Sequence, residues 1–107
     1  MQVYRETAST NATILARGEA GEAEGCAVFA EAQSAGRGQF GRNWHSAPGL
    51  GLWFSLLLRT RRGEPDFSGW SLRFAEAVAR AIHRELGLLP ALKEPNDLLL
   101  DGQKVCG

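Results

Sequence analysis

The chain has 107 residues, 44% of them hydrophobic, with twelve basic residues against twelve acidic ones. That length accommodates one domain with a modest core, and the apolar content is too high for a disordered chain. A formal net charge of zero supplies no global field to draw in nucleic acid or an anionic membrane, so neither is an expected partner. No stretch reaches the length of a membrane-spanning helix, and Met1-Gln2-Val3-Tyr4-Arg5-Glu6 lacks the apolar run of a secretory signal. Cys26 and Cys106 stand far apart and outside any CxxC pair, which points to reduced thiols and a cytoplasmic protein, not to a disulfide framework or a zinc site.

In chain order, Ser9-Thr10-Asn11 offers three successive N-cap candidates ahead of Ala12-Thr13-Ile14-Leu15-Ala16-Arg17, and Gly18 is placed to end that short helix. Residues 18 to 25 (GEAGEAEG) read as a surface loop. Cys26 to Ala30 (CAVFA) predicts a short buried strand. After a polar loop from Ser34 to Gly49, the apolar stretch Leu50 to Leu58 (LGLWFSLLL) predicts a central strand by its length and aromatic content. Residues 61 to 67 (RRGEPDF) are turn formers. Leu72, Ala75, Val78, Ala79, Ile82 and Leu86 recur at spacings of three and four, which predicts an amphipathic helix stopped by Gly87 and Pro90. Leu98-Leu99-Leu100 and Gln103-Lys104-Val105-Cys106 predict two strands joined by Asp101-Gly102, the two-residue signal for a type I′ hairpin. The expected class is α+β, with a largely antiparallel mixed sheet and flanking helices.

Two stretches carry the chemistry. In residues 36 to 44 (GRGQFGRNW), Gly36, Gly38 and Gly41 allow positive φ and close approach of the backbone to a ligand, and successive N–H groups in such a loop can form an anion nest. Arg37 and Arg42 carry planar guanidiniums suited to carboxylate or phosphate oxygens, and Trp44 offers a flat surface for a nucleobase. The spacing fits neither the Walker A loop nor the GxGxxG fingerprint, so by itself the stretch reads equally as a solvated loop. In residues 93 to 104 (KEPNDLLLDGQK), Pro95 holds Glu94 extended and presents Asn96-Asp97 at a bend. Asn96 and Asp97 also suit a plain turn there. Lys104 is an exposed strand lysine on one face of its strand and a point charge for an anion on the other. Ser9, Thr10 and Asn11 are helix caps on local grounds, His45 and His83 lack metal-ligand spacing, and Trp53 and Trp70 read as packing residues.

Together these segments resemble the catalytic domain of biotin protein ligases. Members carry Ser-Thr-Asn near the domain start, as Ser9-Thr10-Asn11 does here. They continue into a Gln-x-x-Gly-Arg-Gly-Arg-x-Gly-Arg-x-Trp loop, matched by Gln33 through Trp44. Lys-Trp-Pro-Asn-Asp follows, with a lysine seven residues beyond the Asp, matched by Lys93 through Asp97 and by Lys104. The resemblance implies the class II synthetase-like biotin/lipoate ligase fold and a two-step reaction: ATP and biotin, with Mg2+ accompanying ATP, give biotinyl-adenylate, and a lysine of a biotin carboxyl carrier protein then takes the biotinyl group. It implies that Ser9, Thr10, Asn11 and Gln33 hold biotin, with Gly36, Arg37, Gly38 and Gln39 closing over it. It places Arg42, Trp44, Asn96 and Asp97 on ATP or adenylate. Lys104, with Arg37, would act on the reacting carboxylate and α-phosphate, where fixed cations have the greatest leverage.

Gln39 stands where many members have arginine, and Glu94 replaces the motif's tryptophan. Members continue past the position of Gly107 through further strands. The expectation is therefore a catalytic domain over residues 1–107, incomplete at its C-terminus, with an exposed sheet edge through which two copies could pair. The alternative is a non-catalytic remnant of the ligase fold with weak or no ligand binding. No DNA-binding module precedes the motifs, so a repressor role is not expected, and the resemblance assigns no metal ligand.

Overall fold

The computed structural model describes residues 1–60 and 69–107; the turn-forming stretch 61–67 lies outside them. The chain divides into two units, Met1–Arg61 and Arg62–Gly107. In the first, Ser9 takes extended backbone angles (φ −160°, ψ 134°) and its Oγ accepts the Ala12 N–H at 3.5 Å, which starts helix α1 (Thr10–Glu19). The helix runs one residue past Gly18 instead of ending there, and Ala20 closes it. Packing explains the difference: a Cβ on Gly18 would lie 2.9 Å from Leu57 Cδ1, so the glycine admits a core leucine against the helix.

Strand β1 (Gln2–Tyr4) pairs parallel with β2 (Ala27–Ala30), and β2 pairs antiparallel with β3 (Trp53–Leu56), in the order β1-β2-β3. Strand β2 is the run predicted at residues 26–30. Val28 is fully buried and meets Ile14 and Leu57, with Tyr4 and Cys26 packed alongside. Each such aliphatic side chain contributes on the order of 1.5–3 kcal/mol by leaving water.

The expected central strand over 50–58 is reduced to Trp53–Leu56 and ends the strand order. Its burial alternates: Trp53 and Ser55 lie on the more buried face, while Phe54 and Leu56 stand about half exposed. A strand hydrogen-bonded on one side and packed on one face buries alternate residues only. Phe54 stacks on Phe29 across the outer face at 5.3 Å.

In the second unit, helix α2 (Trp70–Leu86) stops at Gly87, which is left-handed (φ 69°) and donates its N–H to the His83 carbonyl at 2.9 Å, as predicted. Strands β4 (Ala91–Lys93), β5 (Asp97–Leu100) and β6 (Gln103–Cys106) form an antiparallel sheet, with Leu98 fully buried. Asp101 (φ 49°) and Gly102 (φ 77°) are both left-handed, as the type I′ turn between β5 and β6 requires. The Glu94–Pro95 peptide is cis. Thus the α+β class holds, with one mixed and one antiparallel sheet among the described residues. Strands β1 and β4 have no counterpart in the sequence reading.

Candidate functional site

The residues of the first unit build a hydrogen-bonded network around Gln33. Gln33 follows β2 and is set by single bridges to Thr7 on one side and Ser46 on the other. Its Oε1 accepts from both the Thr10 N–H (2.8 Å) and the Thr10 hydroxyl (3.1 Å), and its Nε2 donates to Ser46 Oγ at 2.8 Å. Thr10 Oγ1 lies 2.8 Å from Ser55 Oγ, and Ser55 donates to Asn11 Oδ1 at 2.5 Å. Thr10, Ser46 and Ser55 are all buried. Polar groups removed from water in this way need partners, and here they supply one another. The network ties the start of α1 to Ser55 within β3 and to Gln33 in the segment that follows β2. Of the side chains expected on a ligand, Ser9 is committed to the helix cap. The Gln33 oxygen is committed to Thr10, leaving one Nε2 proton without a partner among the described residues.

The glycine-rich stretch is a hairpin. Trp44 N–H donates to the Gly36 carbonyl at 2.8 Å, Arg37 bridges Asn43, and Gly38 N–H donates to the Arg42 carbonyl at 2.7 Å. Gly36 is buried, and a Cβ there would sit 2.6 Å from the Trp44 carbonyl oxygen. Its glycine is therefore needed for close backbone packing rather than for motion. At the tip, Phe40 (φ 57°) and Gly41 (φ 73°) are both left-handed, and Arg42 N–H closes the turn on the Gln39 carbonyl at 3.2 Å. Arg37, Gln39 and Arg42 are exposed, whereas Trp44 is half-buried beside Gly38. The loop thus holds two guanidiniums in water on a short, hydrogen-bonded frame.

In the second unit, Lys104 Nζ lies 2.9 Å from Asp97 Oδ1 across the β5–β6 hairpin. The register explains how they meet. Leu98 faces Cys106 but Leu99 faces Lys104, so β6 carries an extra residue, Val105, in a bulge, and bulges re-aim side chains. This answers the question of which face Lys104 takes: its ammonium sits at the Asp97 carboxylate, with 42% of the side chain still exposed. Burial pushes the neighbouring Cys106 thiol above its usual range. Asn96 is half-buried in the turn before β5, and Glu94 is exposed there. Among the described residues no three His, Cys, Asp or Glu side chains gather to hold a metal ion, and no helix is long and apolar enough to cross a membrane.

Sequence reasoning gave no role to Ser46 or Ser55. Ser55 was legible in one respect: it is the single hydroxyl inside the apolar run LGLWFSLLL.

The fold defines a class: an α+β chain whose first unit carries a glycine-rich hairpin with two exposed guanidiniums and whose second carries a strand lysine paired with Asp97. The chain belongs to the biotin/lipoate A/B protein ligase family, whose sequence profile matches residues 3–107. It is 36% identical, over a 112-residue alignment, to the biotin–[acetyl-CoA-carboxylase] ligase of Mycobacterium tuberculosis, covering 100% of this chain and 42% of that protein. It is 40% identical over 84 residues to the bifunctional ligase/repressor BirA of Bacillus subtilis, covering 78% of this chain and 26% of the relative. The chain therefore spans less than half the length of these curated relatives. Among solved structures, the biotin protein ligase of Aquifex aeolicus in complex with biotin and ATP superposes with a TM-score of 0.82 at 31% identity, over 96% of this chain and 43% of that one. The biotin acetyl coenzyme A carboxylase synthetase of Helicobacter pylori, with bound biotinylated ATP, gives 0.76 at 28% identity, over 96% and 50%.

Proposed function

We propose that residues 1–107 form the biotin-activating part of a biotin protein ligase catalytic domain. The observation that carries this reading is the Gly36–Trp44 hairpin, which holds Arg37 and Arg42 exposed on a fixed frame in a chain so similar to a ligase bound to biotin and ATP. In the first step a carboxylate oxygen of biotin attacks the α-phosphorus of ATP. The bond to the bridging oxygen breaks, and pyrophosphate leaves with that electron pair. In the second step a carrier lysine amine attacks the acyl carbon of the adenylate, AMP departs, and the amine loses its proton. Two anions meet in the first step, so fixed cations placed where charge develops lower its barrier.

Lys104 and Arg37 supply that charge to the carboxylate and α-phosphate, and Arg42 meets the phosphates. Trp44 faces the adenine, while Asn96 and Asp97 help to set the nucleotide. Asp97 also holds the Lys104 ammonium until an anion competes for it. Thr10, Asn11 and the remaining Gln33 proton face biotin's polar ring, with Ser46 and Ser55 keeping them in place. Gly36, Gly38 and Gln39 line the cover. Mg2+ arrives with ATP as substrate, because one carboxylate plus nucleotide phosphates is the usual arrangement for that ion. The acceptor is a biotin carboxyl carrier protein.

Calorimetry with biotin, alone and with the α,β-methylene analogue of ATP, tests the reading. Biotin should bind, and bind more tightly when the nucleotide analogue is present. Biotin-dependent ATP–pyrophosphate exchange should accompany it. Binding without exchange would mark a non-catalytic remnant, and absence of binding would overturn the reading.

A further inference from the structure

Phe40 occupies the least favourable backbone region of the described residues for its type, and nothing buries it there. Its angles are φ 57° and ψ 30°, and 89% of the residue is exposed. A bulky side chain with positive φ is an outlier that costs free energy, and such strain persists where the surroundings impose it or a role uses it. Core packing is not the reason here. The ring does have one partner: the Arg42 guanidinium carbon lies 5.8 Å from its centroid, within cation–π range. The left-handed turn produces this contact. Two successive left-handed residues, Phe40 and Gly41, reverse the chain tightly enough to bring residue 42 back beside residue 40.

We propose that Phe40 is a positioning residue for Arg42, its ring face holding the guanidinium over the hairpin before the anionic ligand arrives. This rests on the reading that Arg42 meets the phosphates of ATP. An exposed arginine otherwise samples many rotamers, and restricting it beforehand reduces what binding must order. The ring cannot compete for the anion, because it offers no hydrogen-bond acceptor to neutralise the cation, whereas a carboxylate in its place would.

The test is a series at position 40 in the intact protein, read in two ways. The first readout is the Arg42 side-chain proton shifts by NMR, which report ring current and need no activity. The second is the calorimetric affinity for the α,β-methylene analogue of ATP in the presence of biotin. In the unaltered protein the Arg42 δ protons should lie upfield, and Phe40→Leu should return them to ordinary values while weakening the nucleotide analogue roughly two- to fivefold. Phe40→Trp should retain both properties, since its ring face is the stronger. Phe40→Gly should raise the melting temperature by releasing the strain and yet weaken the analogue, two opposed effects that a purely structural residue would not produce. An Arg42 that shows no ring-current shift, or a Phe40→Leu variant that binds as the parent does while Arg42→Ala binds weakly, overturns the proposal alone. An Arg42→Ala variant with unaltered affinity overturns the phosphate reading of Arg42 and the proposal with it.

Discussion

Two hairpins in this chain use nearly the same reversal with opposite chemistry. At 97–106, Asp101 and Gly102 stand at φ 49° and 77°; at 36–44, Phe40 and Gly41 stand at 57° and 73°. Aspartate tolerates the left-handed region because its short polar side chain can bond locally, while phenylalanine has no such compensation. The first hairpin is locally consistent and holds a charge pair, Lys104 to Asp97. The second carries its cations on a strained tip whose frame is fixed by backbone hydrogen bonds and by the buried Gly36. The lesson is that a tight reversal can be specified by its turn residues or imposed by its closing bonds.

Removing charge from the relaxed hairpin should have the largest effect. Lys104→Ala should lower biotin-dependent ATP–pyrophosphate exchange more than tenfold, on the order of 2 kcal/mol or more in the transition state. Exchange at the parental rate in that variant would break the assignment of chemistry to the 97–106 hairpin. The next effect concerns the frame of the other hairpin. Gly36→Ala drives a methyl group against the Trp44 carbonyl, whose oxygen lies 2.6 Å from the Cβ position, and should cost about 1–3 kcal/mol in urea unfolding. A midpoint matching the parent would mean that the loop tolerates opening.

Transplanting the strain sharpens the comparison further. Asp101→Phe puts an aromatic into the relaxed turn and should lose about 1 kcal/mol of stability, measured by the same unfolding curves. A neutral result would show that Phe40 is unstrained as well.

Smallest of all should be a pH effect on the 97–106 hairpin. The Cys106 thiol is raised, chiefly by burial, above its usual 9.0. A group with a raised folded-state value binds its proton more tightly when folded. Its contribution is therefore complete below 9.0 and is lost as pH climbs through the folded value. Unfolding curves from pH 8 to 10 should show a slight decline for the parent, and Cys106→Ser should lack that component. Identical slopes would place the thiol in water.

What could be read in advance follows from how local each signal is. Helix α2 announced itself through spacings of three and four, and the β5–β6 turn through Asp101-Gly102, since both depend on neighbours within one turn of chain. The order of the three motifs was enough to recognise the family that residues 3–107 match. Strands β1 and β4 are three residues each, too short for a periodic pattern, and exist because a partner strand lies beside them. Gly18 looked like a helix end, and only Leu57, packed against it, shows why the helix continues.

The sequence by itself therefore determined the α+β class, the amphipathic helix, the type I′ turn and the ordered motifs of the family, all of them short-range or compositional properties. Tertiary structure alone decided what those residues bond to. Gln33 reaches Thr10 across 23 positions and Thr10 reaches Ser55 across 45, and no spacing rule spans such distances. The bulge at Val105 likewise sets which face Lys104 takes, through a register shift that depends on strand pairing. Hydrogen-bond partners are chosen by the fold because a buried polar group must take whichever partner the packing of distant segments brings within reach.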